Sequence, residues 1–597
     1  MTTRRPVRIA NFSGFYGDRL AAAREMVDGG PVDVLTGDYL AELTMLILWK
    51  ARQRDPRAGY ARTFLTQMED VLGTCLDRGI RVVTNAGGLN PAGLAADLTD
   101  LAARLGLSPR IAYVDGDDLA DRVPELLAEG HQLAHLDTGR PLADAGIEPV
   151  TANAYLGAWG IVEALAADAD VVVCPRVTDA SLVVGPAAWW HGWSREDLDA
   201  LAGAVVAGHV IECGPQATGG NYSWLEEVAD RRYPGFPIAE VAADGSSVIT
   251  KHPGTGGLVS VGTVTAQLLY EVAAPAYLNP DVTAHFDTVR LEQEGPDRVR
   301  ITGTRGTPPP PEAKVAVNCR GGFRNTMTLV LTGLDIEEKA RWATEELFEI
   351  LGGRERFAEV DTRLVRFDRP DAPSNELATA HLRITVKDPD PRRVGRAFSN
   401  ATLALALGGY AGFHATTPPT AETEFGVYWP TLGPADLVPH RVVLPDGTAR
   451  AVPGPPRTEP APTVIAAAPV SPSRDWGETR RLPLGTVCAA RSGDKGGNAN
   501  IGVWARDDAT YEWLSAALTV DLLRELLPEA ARLPVQRHEL ANLRAVNVVV
   551  VGLLGDGVAS STRPDPQAKG LGEYLRSRLV DLPAALLPER PAETEEP

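Results

Sequence analysis

Two hydrophobic patterns alternate over residues 7–181. Short apolar runs (VRIAN at 7–11, VDVL at 32–35, RVV at 81–83, RIAYV at 110–114 and DVVVC at 170–174) are rich in valine and bounded by polar turns. Runs of that length and composition predict buried strands. Between them lie stretches whose apolar residues recur three and four positions apart: DRLAAAREMVDGG, LAELTMLILWKARQR, YARTFLTQMEDVLGTCLDRGI, PAGLAADLTDLAARLGL and YLGAWGIVEALAADA. These predict helices, the first stopped by glycine. Strand alternating with helix predicts an α/β fold with a large, mostly parallel sheet and helices on both faces.

From about 205 the pattern changes to glycine-rich loops, GHVIECGPQATGGNYSW and TKHPGTGG. Residues 281–450 read as strands with two helical stretches, an α+β elaboration with a candidate subdivision near 280. Pro308 to Pro311 mark a rigid loop within it. The large domain is thus expected over 6–451. Residues 452–480 are dominated by proline and alanine and have no periodic apolar face, so they predict a semi-rigid linker. A small α+β domain follows over 481–585, and 586–597 form an acidic tail expected to be disordered.

In open α/β sheets, ligands bind outside the carboxyl ends of the strands. Here those ends carry Asn11 and Ser13, Asp38, Asn85, Asp115, and Arg176 with Asp179. Glycines beside them let backbone approach a ligand closely. Candidate binding residues at these ends are Ser13, Gly14, Arg19, Asn85, Gly87, Gly88 and Arg176. Asp38 and Asp179 are candidate proton-transfer groups. TKHPGTGG adds His252 as a third candidate for moving a proton. Its Lys251 offers a point charge, and Gly254, Gly256 and Gly257 offer backbone N–H groups for an anion nest before a helix N-terminus. The motif is also compatible with a plain turn, and it lacks the spacing of a phosphate-binding loop. Gln216 stands in the other glycine loop. His209 and Cys213, four apart, could pair as base and nucleophile or simply share a helix face. In ARSGDKGGNANIG, Arg491, Asp494 and Lys495 crowd a polar glycine loop more densely than a bare turn requires.

The formal net charge of −20 argues against a nucleic-acid partner. The five cysteines are dispersed and form no CxxC motif, which suits free thiols in a cytoplasmic protein. No HExxH-type spacing suggests a metal, no apolar window is long enough for a membrane span, and SGFYGDR does not match the dinucleotide fingerprint. Arginine greatly outnumbers lysine, a bias that reflects genomic base composition.

As a set, FSGFYGDRLAAA, DVLTGDYLAELTM, TNAGGLNP, RVTDASLVVGP, AGHVIECGPQATGG and TKHPGTGGLVSVGTVTAQLLYE resemble the acyclic terpene utilisation (AtuA-like) family. ARSGDKGGNANIGV resembles the small ferredoxin-like domain that often follows it, with Gly497 standing where the pattern suggests an acidic residue. The resemblance implies a bacterial protein of branched-chain or terpenoid acid catabolism, among enzymes of acyl-CoA metabolism, and supplies no reaction. Joined to the candidate residues, it leads to an expected enzyme of lyase, hydratase or transferase type that moves a proton next to a carbonyl. The substrate would be a small anion, with a coenzyme A thioester as one candidate and the cofactor left open. A noncatalytic subunit of an acyl-CoA carboxylase-type complex is the competing reading. A homo-oligomer is expected, with acyl-CoA pathway enzymes as further candidate partners.

Overall fold

The computed structural model describes residues 4–462 and 475–588. The predicted strands form where expected: Val7–Ser13, Val34–Gly37, Arg81–Thr84, Ile111–Asp115 and Val171–Val173. All five run parallel, and Val171–Val173 is inserted between the third and fourth. That swap creates the crevice at the strand ends where the candidate residues gather.

The sheet extends well beyond this parallel centre. Among the described residues it has eleven strands, and those outside the central five pair antiparallel. Pro237–Val241, Ser247–Lys251, Arg298–Thr302 and Arg290–Gly295 continue it on one side, Arg441–Val443 and Ala449–Ala451 on the other. The expectation of a mostly parallel sheet is therefore corrected to a mixed one. Hairpins later in the chain add strands at both edges, and residues 7–181 contain no signal of that.

Side chains alternate across the central strands and meet two separate cores. Ile9, Val34, Val83, Ala112 and Val172 face helices Trp159–Ala166, Ser181–His191 and Leu198–Ile211. Ala10, Leu35, Val82 and Val171 face helices Ala22–Asp28, Thr63–Arg78 and Pro91–Arg104. Local chemistry sets the helix ends. Thr63–Arg78 stops at Gly79, whose φ of 66° only glycine adopts cheaply. Pro91–Arg104 begins with proline at its first turn and Asn90 as N-cap, the Asn90 carbonyl accepting from Gly93 N–H at 3.0 Å.

The chain forms two compact units. Within the described residues, the first takes in the chain up to Asn318, Tyr428–Val558 and from Asp565 on. The second comprises Cys319–Val427 and Ala559–Pro564, so the chain passes from one to the other at Asn318, well beyond 280. The second unit is built as the expected α+β elaboration. Helices Ile336–Ile350 and Arg396–Gly408 cover one face of strands that include Glu359–Arg366 and Thr379–Asp388, around Leu329, Leu382, Ile384 and Phe398.

The C-terminal part of the first unit carries an antiparallel sheet in the order Val535–Leu540, Ala545–Val550, Asn498–Ala505, Cys488–Lys495. Helices Asp508–Ala517, Val520–Leu526 and Leu571–Ser577 accompany it around their own core. Strands Cys488–Lys495 and Asn498–Ala505 are joined by Gly496-Gly497, the two-residue glycine turn of a tight hairpin. A side chain at Gly497 would meet the Gly555 carbonyl at 2.2 Å, so no acidic residue fits there. Of the predicted linker, residues 463–474 lie outside the described residues, as do 589–597 of the predicted tail.

Candidate functional site

A polar cavity of about 480 Å3 opens at the carboxyl ends of the parallel strands. Gly14 follows the first strand, Asp38 the second, and Arg176 and Asp179 follow Val171–Val173. Glu42 stands at the first turn of helix Glu42–Arg54, and Gln216 lies in the short helix Gly214–Thr218. The fourth wall comes from the far end of the sequence: Asp494 and Lys495 at the hairpin tip, with Gln567 and Lys569. Seven of the candidate residues thus share one cavity: Gly14, Asp38, Arg176, Asp179, Gln216, Asp494 and Lys495.

Asp38 is 5% exposed and accepts hydrogen bonds from Asn85 Nδ2 at 2.6 Å and from Leu40 N–H at 3.1 Å. Burial raises its carboxyl well above the usual carboxylate range, and the nearby charge of Asp179 pushes the same way. Glu212 is raised well above that range for the same two reasons. Its Oε1 lies 3.1 Å from His209 Nδ1, while its Oε2 is buried without a hydrogen-bond partner. Both carboxyls thus favour the protonated form more than exposed carboxyls do.

The ionised groups are organised around aromatic rings. The Arg176 guanidinium is ion-paired with Asp179 and sits 4.2 Å from the centre of the Tyr155 ring. Lys314 Nζ lies 4.6 Å from the same ring and 3.4 Å from Glu42 Oε1. The hydroxyls of Tyr155 and Tyr428 donate to Glu42 Oε1 at 3.4 and 3.3 Å. Burial by itself would raise the Glu42 carboxyl, but Lys314 and Arg176 outweigh it and bring it down to about 2. Across the cavity, Lys569 Nζ stands 3.6 Å from Asp494 and 3.8 Å from Glu271 and donates to the Tyr270 hydroxyl. Burial, with the charge of Glu271, pushes Asp494 up to about 7. Glu271 itself has a φ of 57°, a conformation that costs a non-glycine residue energy, and its N–H donates to Asn500 Oδ1 at 2.9 Å.

Other candidate residues support the wall. Asn85 holds Asp38, Ser13 Oγ donates to the Phe15 carbonyl at 3.1 Å, and Arg491 donates to Gln216 while lying 4.4 Å from the Tyr270 ring centre. Gly87 and Gly88 make tight approaches to the Cys174 carbonyl and to Leu48. Asp115 is occupied with Arg441 through two hydrogen bonds at 2.9 and 3.0 Å.

The TKHPGTGG group lies outside the cavity. Lys251 pairs with Asp297 at 3.0 Å and donates to the Thr255 carbonyl at 2.8 Å. The His252 ring is buried against Gly29 and Gly30, with Nε2 2.9 Å from the Met26 carbonyl. The Gly257 and Leu258 amides donate to the Asp230 and Thr218 carbonyls at 2.7 and 2.8 Å, so they are not available to an anion. Gly254 and Gly256 complete that turn. Arg19 pairs with Glu25 at 2.7 Å and lies 4.8 Å from the Phe236 ring centre. The His209–Cys213 pairing does not form either: His209 faces Glu212, and burial pushes the Cys213 thiol well up, away from the reactive thiolate.

Tyr155, Glu271, Tyr277, Lys314 and Lys569 line the cavity without having been singled out in the sequence. For the lysines a signal was present. The chain has 58 Lys and Arg residues, of which seven are lysine, and three of the seven line this one cavity.

Residues 7–444 match the family described as acyclic terpene utilisation family protein AtuA. The chain belongs to the AtuA family. Residues 482–581 match the AtuA ferredoxin-like domain, the part that brings Asp494, Lys495, Gln567 and Lys569 to the cavity. Membership connects this AtuA-family chain to acyclic terpene utilisation. Comparisons with curated proteins and with solved structures return no match. Among the described residues, no group of three or more His, Cys, Asp or Glu side chains is placed to hold a metal ion, and no helix is long and apolar enough to cross a membrane.

Proposed function

We propose that this AtuA-family protein is an enzyme that moves a proton next to the carbonyl of an anionic branched-chain or terpenoid acid, or of its acyl-CoA thioester. The observation that supports this reading is the placement, in one cavity, of the buried carboxyls of Asp38 and Glu212 with Asp179 ion-paired to Arg176. Asp38 is positioned as the acid, donating to a carbonyl oxygen. Asp179, beside Arg176, is positioned as the base that takes a proton from the adjacent carbon. Arg176, Lys314 and Lys569 supply positive charge for the anionic group and for the enolate that forms.

Hydrogen–deuterium exchange at the carbon next to the carbonyl tests this directly. Full-length protein in D2O with short branched acyl-CoA thioesters, and separately with their free acids, should catalyse exchange for at least one of them. Asp38→Asn should lower that rate by about 100-fold or more, the scale of general acid–base catalysis. The variant should keep the rise in melting temperature that a native-state ligand produces. Absence of both exchange and stabilisation across the panel would overturn the reading. Stabilisation without exchange would favour the accessory-subunit reading instead.

A further inference from the structure

Lysine is used sparingly in this chain, yet Lys314, Lys495 and Lys569 meet in the cavity. Arginine would serve as well or better for holding a carboxylate or phosphate, since its guanidinium binds both oxygens at once. An amine offers what a guanidinium does not: it can lose its proton and attack a carbon.

The three amines are not equivalent. Lys314 is tied to Glu42 and Tyr155, and Lys569 to Asp494, Glu271 and the Tyr270 hydroxyl. Lys495 forms no ion pair or hydrogen bond through Nζ among the described residues. Its ammonium lies 5.5 Å from the centre of the Tyr277 ring, at the end of a strand fixed by the Gly496-Gly497 turn. Burial lowers the pKa of this amine, and the charge of Lys314 lowers it further, against the opposing pull of Glu271, Glu42 and Glu212. Desolvation beside a second cation is a recognised way to activate a lysine nucleophile.

We infer that Lys495 is a nucleophilic amine that condenses with an aldehyde or ketone group of the substrate. The inference rests on the proton-transfer reading of the same cavity and narrows the substrate to a compound with a free carbonyl besides its anionic group. Lys495 first releases its ammonium proton to solvent. The nitrogen lone pair then forms the N–C bond while the carbonyl π pair moves to oxygen, which takes up the proton lost by nitrogen, giving a neutral carbinolamine. A neutral carboxyl, Glu212 or Asp38, next protonates the hydroxyl. The C–O bond breaks, water leaves, and the nitrogen lone pair forms the C=N bond. An iminium ion remains, balanced by the carboxylate that gave its proton, and it draws electrons from the neighbouring carbon from which Asp179 removes a proton.

Glyoxylate with cyanoborohydride is a suitable probe, because reduction traps an imine as a stable carboxymethyl amine. With full-length wild-type protein near neutral pH, peptide mapping should find Lys495 modified faster than the lysines outside the cavity. Each unit by which an amine's pKa falls exposes about ten times more free amine. Lys495→Arg should remove that modification and lower at least about 100-fold the rate of exchange next to the carbonyl of a short branched keto acid, while Lys569→Arg should leave the labelling of Lys495 in place. Modification of Lys314 or Lys569 in preference to Lys495, or of no cavity lysine, would overturn the imine. So would full exchange activity in Lys495→Arg, an outcome that leaves the proton-transfer reading standing. Loss of exchange in Asp38→Asn together with normal labelling of Lys495 would support both.

Discussion

Among side chains, Asp38 is positioned by the amide of Asn85. Asn85 donates to Asp38 through Nδ2 and accepts from Tyr39 N–H at 2.8 Å through its carbonyl. Replacing it by alanine strands both partners inside a buried region. Asn85→Ala should therefore cost about 1–3 kcal/mol in a urea titration, the usual penalty for an unsatisfied buried polar group. Asn85→Asp would place a second carboxyl group against Asp38 and should be less stable at pH 8 than at pH 5, because ionising both costs more as the pH rises. Gly14 shows how closely the walls meet: a side chain there would stand 2.6 Å from the Cys213 carbonyl carbon. Gly14→Ala should cost about 1–3 kcal/mol as an overpacking change and weaken ligand-induced stabilisation, because the chain at Cys213 has to shift.

At the scale of elements, buried carboxyls on loops give the protein a pH signature. Asp117, in the loop after strand Ile111–Asp115, is 3% exposed. It accepts from Asn153 Nδ2 at 2.7 Å and from Arg176 N–H at 3.2 Å. Burial, with the charge of Asp118, pushes it up to about 7, the level Asp494 also reaches. A carboxyl raised in the folded state binds its proton more tightly there than in the unfolded chain. The stability it contributes is complete below the ordinary carboxylate range and is lost as the pH rises through about 7. The urea midpoint should therefore fall between pH 5 and pH 8, and Asp117→Asn should make that fall shallower.

Much of this level was legible in the sequence. Valine-rich runs bounded by turns located all five parallel strands, because a strand buried on both faces leaves little room for polar residues. Strand ends then led to Asp38, Arg176 and Asp179. TKHPGTGG lies outside the cavity, and a glycine loop whose amides bond to backbone carbonyls looks, in sequence, like one whose amides are free. Tyr155 and Lys314 carry no local mark. They reach the cavity through the pairing of distant segments, Tyr155 N–H donating to the Lys314 carbonyl at 2.9 Å.

At the scale of the molecule, the ferredoxin-like domain lines the candidate cavity. Asn500 and Asn547 both donate to the Val272 carbonyl, at 3.0 and 2.8 Å, and so hold the segment that carries Glu271. A chain ending at residue 462 should lose the stabilisation by ligand expected of the full protein. Supplying residues 475–597 separately should restore it if the two pieces associate. Isothermal titration and thermal shift distinguish these outcomes.

The cavity draws on residues from Gly14 to Lys569. A ribosome making this protein therefore finishes the central sheet long before the binding cleft exists. Until Asp494, Lys495, Gln567 and Lys569 have emerged, the cavity lacks the wall they form. A nascent or prematurely terminated chain thus carries an unfinished cavity, which the residues up to Lys569 complete.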